Sequence, residues 1–126
     1  MLSFLQQPSI PPLPEGTRLE TSTPPTSQQL NTLLMSCGES THPEERWELA
    51  LQRSLWQISI LEESTGELVG FVRATSDLAL NANLWNLAAK PGPNQGALFA
   101  VLVHRALQIL RRDLPVSYTH LRAHET

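Results

Sequence analysis

Residues 84–112 hold the chain's best candidate for chemistry. They read Leu-Trp-Asn-Leu-Ala-Ala, then Lys90-Pro91-Gly92-Pro93-Asn94-Gln95-Gly96, then a long apolar run. The first piece predicts a strand over 84–89, the second a tight loop, and the third a helix over 96–112. A strand feeding a short loop into a helix aims the first-turn N–H groups and the positive end of the helix dipole at one point. A pyrophosphate fits such a point. Lys90 adds a cation there, and the small residues Gly92, Gly96 and Ala97 permit close approach of an anion to the backbone.

Other reactive side chains are sparse. Cys37 is the only cysteine, so no intrachain disulfide forms, and its place before Gly38 suits a small apolar residue at a helix end. His120 and His124, at i and i+4 with Glu125 beside them, have the spacing of two metal ligands on one helical face. They lie in VSYTHLRAHET (116–126), which resembles one reading frame of the transposase adapter used to prepare short-read libraries. The expectation is that 116–126 is a non-native tail, that the natural sequence is interrupted near Pro115, and that Tyr118, the only tyrosine, has no role. The remaining histidines, His42 and His104, are isolated, so no metal site is expected. His42 is read as a solvated residue at a helix entry.

Composition narrows the classes. The chain has 126 residues and a net charge of −3, with no basic run to bind nucleic acid. Its longest apolar stretch, 96–103, is too short to span a bilayer. The start, MLSFLQQPSIPPLPEG, has no basic n-region and carries prolines where a signal peptide needs an apolar helix, which points to a cytoplasmic location.

The elements that must position the loop follow from periodicity. Six of the ten prolines lie in the first 25 residues, so 1–16 reads as an extended Pro-rich segment, followed by a weak strand at 17–23. Leu30, Leu33, Leu34 and Cys37 mark a helix over 26–37, with Thr26 and Gln29 as a capping box and Gly38 as its stop. Thr41, Pro43 and Glu44 predict a second helix with Thr41 as N-cap, carrying Trp47, Ala50 and Leu51 on one face. Residues 55–61 and 68–75 alternate as two strands around the polar turn 62–67. In the last helix, the first two turns are apolar nearly all round and are expected to be buried. A polar stripe begins at His104 and runs through Arg105, Gln108, Arg111 and Arg112. The order β-α-α-β-β-β-α predicts an α/β (α+β) domain with a mixed sheet over 17–115.

This order resembles the GCN5-related N-acetyltransferase family. In that family two helices separate the first strands, a three-stranded meander follows, and the fourth strand leads into a Gln/Arg-x-x-Gly-x-Gly/Ala loop around the pyrophosphate of acetyl-CoA. NLWNLAAKPGPNQGALFAVLVHRALQIL looks like that strand, loop and helix. ILEESTGELVGFVRAT looks like the second and third strands, with Gly70 in the family's hydrophobic-Gly-hydrophobic position. The loop departs from the pattern. Asn94 stands where the family has Arg or Gln, unless Gln95 takes that place. Leu98 then falls on the first glycine and Ala100 on the Gly/Ala.

The resemblance implies the N-terminal portion of an acyl-CoA N-acyltransferase-like fold whose C-terminal strands are missing. It implies transfer of acetyl from acetyl-CoA, as co-substrate, to an amine of a small molecule or protein, without a metal, in a bacterial-type setting. Backbone groups of Leu87, Ala88 and Ala89 would face the thioester, and Asn94, Gln95, Gly96, Ala97 and Leu98 the pyrophosphate. No residue is assigned as catalytic. Glu62, Glu63, Glu67 and Asp77 are candidate bases, Asn86 a candidate substrate contact, and the leaving-group acid would lie after Leu114. The chain alone is expected to be inactive. Two other readings remain: a non-catalytic acyl-CoA-binding or protein-interaction module of the same fold, favoured by the altered glycine loop, and an α+β domain without a cofactor.

Overall fold

The computed structural model describes residues 10–113 and 120–124. Its elements are β1 (Thr17–Glu20), α1 (Ser27–Ser36), α2 (Glu44–Gln52), β2 (Trp56–Glu62), β3 (Leu68–Ser76), β4 (Asn81–Ala89), α3 (Gln95–Asp113) and β5 (His120–His124). They build one sheet in the order β1-β2-β3-β4-β5, antiparallel through β4 and parallel between β4 and β5. The expected α/β order holds, with β4 starting three residues earlier than its apolar run.

Each helix boundary has a local cause. In α1 the capping box forms: the Gln29 N–H donates to Thr26 Oγ1 (3.1 Å) and the Thr26 N–H to Gln29 Oε1 (2.8 Å). The helix ends in paired bonds from the Glu39 N–H to the Leu34 carbonyl and from the Gly38 N–H to the Met35 carbonyl, with Gly38 at φ +77°. The second helix corrects the expectation. Its N-cap is Pro43, not Thr41. A cap at Thr41 would require a helical His42, and the ring of a following proline excludes that conformation. The entry is held instead by Asn31 of α1, which bonds both backbone groups of His42 (3.0 and 2.8 Å) and accepts from Trp47 Nε1 (2.8 Å). His42 is half-buried, edge-on to Trp47 with ring centroids 5.2 Å apart, so it is not simply solvated.

The sheet is covered on both faces. On one, Leu98, Val101, Leu102, Ala106 and Leu110 of α3 pack on Ile58, Ile60, Val72 and Leu84. On the other, Leu30, Leu33 and Leu34 of α1 and Trp47 of α2 pack on Leu68, Phe71 and Ala88. Gly70 allows this closeness, since a Cβ there would sit 3.2 Å from Ile60 Cδ1 and 3.3 Å from Leu102 Cδ1.

The start of α3 is not buried on every side. Gly96, Ala97, Ala100 and Val103 are exposed, because only the Leu98, Val101 and Leu102 stripe faces the sheet. The exposed stripe is apolar too, small at Gly96, Ala97 and Ala100 and larger at Val103.

Within the 116–126 segment, residues His120–His124 form a strand of the sheet. The backbone of His120–His124 pairs with β4, from Asn81↔His120 to Trp85↔His124. An open strand edge offers N–H and C=O groups that any extended segment within reach satisfies, whatever its side chains. Tyr118 and Glu125 lie outside the described residues.

Candidate active site

The β3–β4 ladder is interrupted at the site. Phe71 pairs with Ala88 and Arg73 with Trp85, so Asn86 and Leu87 together oppose the single residue Val72. This is a β-bulge, which bends its strand and takes a residue out of the ladder. Asn86 adopts φ +57°, a left-handed conformation that asparagine tolerates better than most residues. It is buried, and its Oδ1 accepts from Arg73 Nε (2.8 Å). Among the described residues the β4–β5 ladder stops at Trp85, one residue before the bulge. Leu87, Ala88 and Ala89 therefore continue β4 past its last described partner on that side.

The loop after β4 is tied down at both ends. The Lys90 N–H donates to the Val69 carbonyl (2.8 Å). The Ala89 carbonyl accepts from Gln95 Nε2 (3.1 Å) and from Cys37 Sγ (3.3 Å). Cys37 thus fastens the end of α1 to the end of β4. The first helical bond of α3 runs from the Leu98 N–H to the Asn94 carbonyl (2.9 Å), which makes Asn94 the last residue before the helix. Gly96 and Ala97 occupy the first turn, where N–H groups have no intrahelical acceptor, and both are exposed. A Cβ on Gly96 would meet nothing within 4 Å.

Two expected site residues play other parts. The Leu98 side chain is 3% exposed and points into the core, and its N–H already has a partner. A leucine at the position of the family's glycine therefore does not crowd the loop. Lys90 is engaged with Glu67, Nζ to Oε1 at 3.0 Å, so its charge at the loop is balanced.

The candidate bases divide by place. Glu62, Glu63 and Glu67 sit on or beside the β2–β3 turn, at the end of the sheet where β4 exits. Glu62 accepts from Ser64 and Thr65 hydroxyls. Asp77 sits at the opposite end, where its Oδ1 accepts from the N–H groups of Ala79, Leu80 and Asn81. Those bonds, Leu80 first, hold its pKa below the usual aspartate value. A base needs the opposite shift. His104 stands about two and a half turns into α3, away from the loop.

No protein-family model matches the chain. The chain is 34% identical over 86 residues to an uncharacterized N-acetyltransferase, ycf52, of Pyropia yezoensis, a match covering 67% of this chain and 49% of that protein. Its counterpart in Porphyra purpurea matches to the same extent. The fold is that of a probable acetyltransferase from meticillin-resistant Staphylococcus aureus (TM-score 0.74, 15% identity, 84% of this chain and 77% of that one). It is also that of a GNAT-family acetyltransferase from Streptococcus pneumoniae (TM-score 0.66, 19% identity, 86% and 76%). The chain has the fold of the GCN5-related N-acetyltransferases and is similar in sequence to N-acetyltransferases of the ycf52 kind. It spans about half the length of the curated relatives it matches. Within this N-acetyltransferase fold, neither Arg73 nor the bulge was anticipated from sequence. The available signal was an asparagine inside a strand, a place the residue avoids unless the backbone departs from the ladder.

Proposed function

We propose that the chain is the acetyl-CoA-binding part of an N-acetyltransferase that moves acetyl to an amine. The observation that carries this reading is the succession of a bulge at Asn86, a strand end at Leu87–Ala89 and an exposed first helical turn at Gly96 and Ala97. Open space at Gly96 and donors without intrahelical acceptors suit a pyrophosphate. Acetyl-CoA, when bound, supplies the acetyl group as a thioester. The residues of the chain would hold and orient it. Gly96 and Ala97 N–H groups would hold the pyrophosphate, Gln95 and Cys37 would keep the loop against Ala89, and β4 backbone beyond the bulge would orient the reacting carbonyl.

We expect the chain alone to bind without turning over, and residues 116–126 to add no chemistry. In support, no carboxylate or tyrosine among the described residues lines the cavity at the bulge. A bacterial-type setting is supported by a relative in Prochlorococcus marinus.

Titration of the chain with acetyl-CoA by calorimetry tests the reading. Saturable binding at sub-millimolar concentration is expected. No binding near millimolar would remove it, and binding by a completed natural protein that acetylates no amine would favour the non-catalytic module.

A further inference from the structure

Behind the bulge, on the face covered by α1 and α2, lies a cavity of about 280 Å³. Its walls include Arg46, Trp47, Arg73, Trp85 and Asn86, with His42 at one side. The guanidinium of Arg73 is half-buried and lies 5.6 Å from the centre of the Trp85 ring. Its Nε donates to Asn86 and its Nη1 to Ser54 Oγ (3.3 Å). These bonds fix the plane and leave Nη2 uncommitted among the described residues. Among the described residues no carboxylate pairs with Arg73 or Arg46.

A partly buried guanidinium without an anion is costly to keep. Burial pulls the Arg73 pKa down from its usual value, as expected for a cation that lacks a compensating charge. The cavity is therefore positive on two sides. A bare ammonium, a polyamine or a lysine side chain would be repelled from it. An acceptor that brings its own anion would not. Arginine presents donors in a planar fork that matches a carboxylate, and the indoles of Trp47 and Trp85 supply flat apolar walls. The volume lies at the small end for ligand pockets and suits a molecule of amino-acid size.

We propose that this cavity binds the acceptor, and that the acceptor is an amine carrying a carboxylate, of free amino-acid size, with Arg73 holding the carboxylate. This rests on the acetyltransferase reading for the word acceptor, since Asn86 lines the cavity and Leu87 is the next residue along β4. The binding itself does not depend on that reading.

The full chain would be titrated with the free α-amino acids, each matched with its α-amide, following the fluorescence of the tryptophans, two of which line the cavity. The expected result is saturable binding of at least one amino acid at millimolar concentration, with its amide about tenfold weaker or worse. Arg73→Met should weaken it by about tenfold or more, and Arg73→Lys should recover part of the loss. If Arg73→Met does not fold, the acid-against-amide comparison and Arg46→Met on the surface still decide. Amides that bind as well as the acids, or no binding by any amino acid, would overturn the proposal. Acetyl-CoA is titrated separately against the same variants. Acetyl-CoA binding without carboxylate preference removes only the acceptor class. Carboxylate preference without acetyl-CoA binding removes only the acetyltransferase reading.

Discussion

A left-handed residue inside a strand must be held there, and Asn86 is held by Arg73 through a 2.8 Å bond in a buried setting. Two substitutions separate its contributions. Asn86→Gly keeps the backbone conformation and loses the bond, while Asn86→Val loses both. Urea unfolding should show a loss of about 1.5–3 kcal/mol for the glycine, from the charge-assisted bond. The valine should lose about 1–2 kcal/mol more, from left-handed strain. Equal losses would mean that the bulge is not strained. Gly96 tests the other end of the site. Gly96→Val meets open space, so its melting temperature should stay close to that of the wild type while acetyl-CoA affinity falls by about tenfold or more. Unchanged affinity would move the pyrophosphate elsewhere. Asp77 gives the pH dependence. Its pKa is depressed in the fold by backbone N–H donors, so its contribution is fully present above the unfolded value and fades as pH falls through the folded one. The difference in melting temperature between wild type and Asp77→Ala should be constant from neutral pH to about 4.5 and shrink as the pH falls below the ordinary aspartate value of about 3.9.

Among the elements, α3 serves two masters. Its inner stripe of Leu98, Val101, Leu102, Ala106 and Leu110 is core, and its outer first turn is the candidate anion site. Only small residues fit the outer stripe if a ligand is to lie along it, and only large apolar ones satisfy the inner stripe. This division predicts the outcome at Leu98. Replacing it by glycine, the residue common in the family, should not improve binding. It should cost about 3–5 kcal/mol from the emptied core and the helical glycine, read by chemical denaturation. A variant as stable as the wild type would mean that Leu98 does not support α3 on the sheet.

On the scale of the molecule, one sheet with helices on both faces places the end of β4, the end of α1 and the start of α3 together at Ala89. The edge of β4 beyond Trp85 runs on without a described neighbour, while the part before it is covered by β5. Ending the chain at Pro115 would uncover residues Asn81–Trp85 as an open edge. Such a variant should scatter more light at equal concentration and melt lower, with acetyl-CoA affinity unchanged. A loss of affinity would show that 116–126 does more than cap the sheet.

Local chemistry alone determined much of this protein. The Thr26 and Gln29 capping box, the glycine stop at Gly38, the β2–β3 hairpin and the strand-loop-helix order all follow from interactions between residues close in the chain. The tertiary structure decided what depends on partners far away. Asn31 reaches across to fix His42 and Trp47, and Glu67 takes the charge of Lys90. Leu98 turns inward because the sheet lies beneath α3. The bulge at Asn86 exists only where β3 is opposed, since a ladder defect has no meaning in a single strand. The same holds for β5, a strand only by its pairing with β4. The strand, loop and helix of residues 84–112 needed only their own sequence, but the cavity at the bulge needed α2, β3 and β4 brought together.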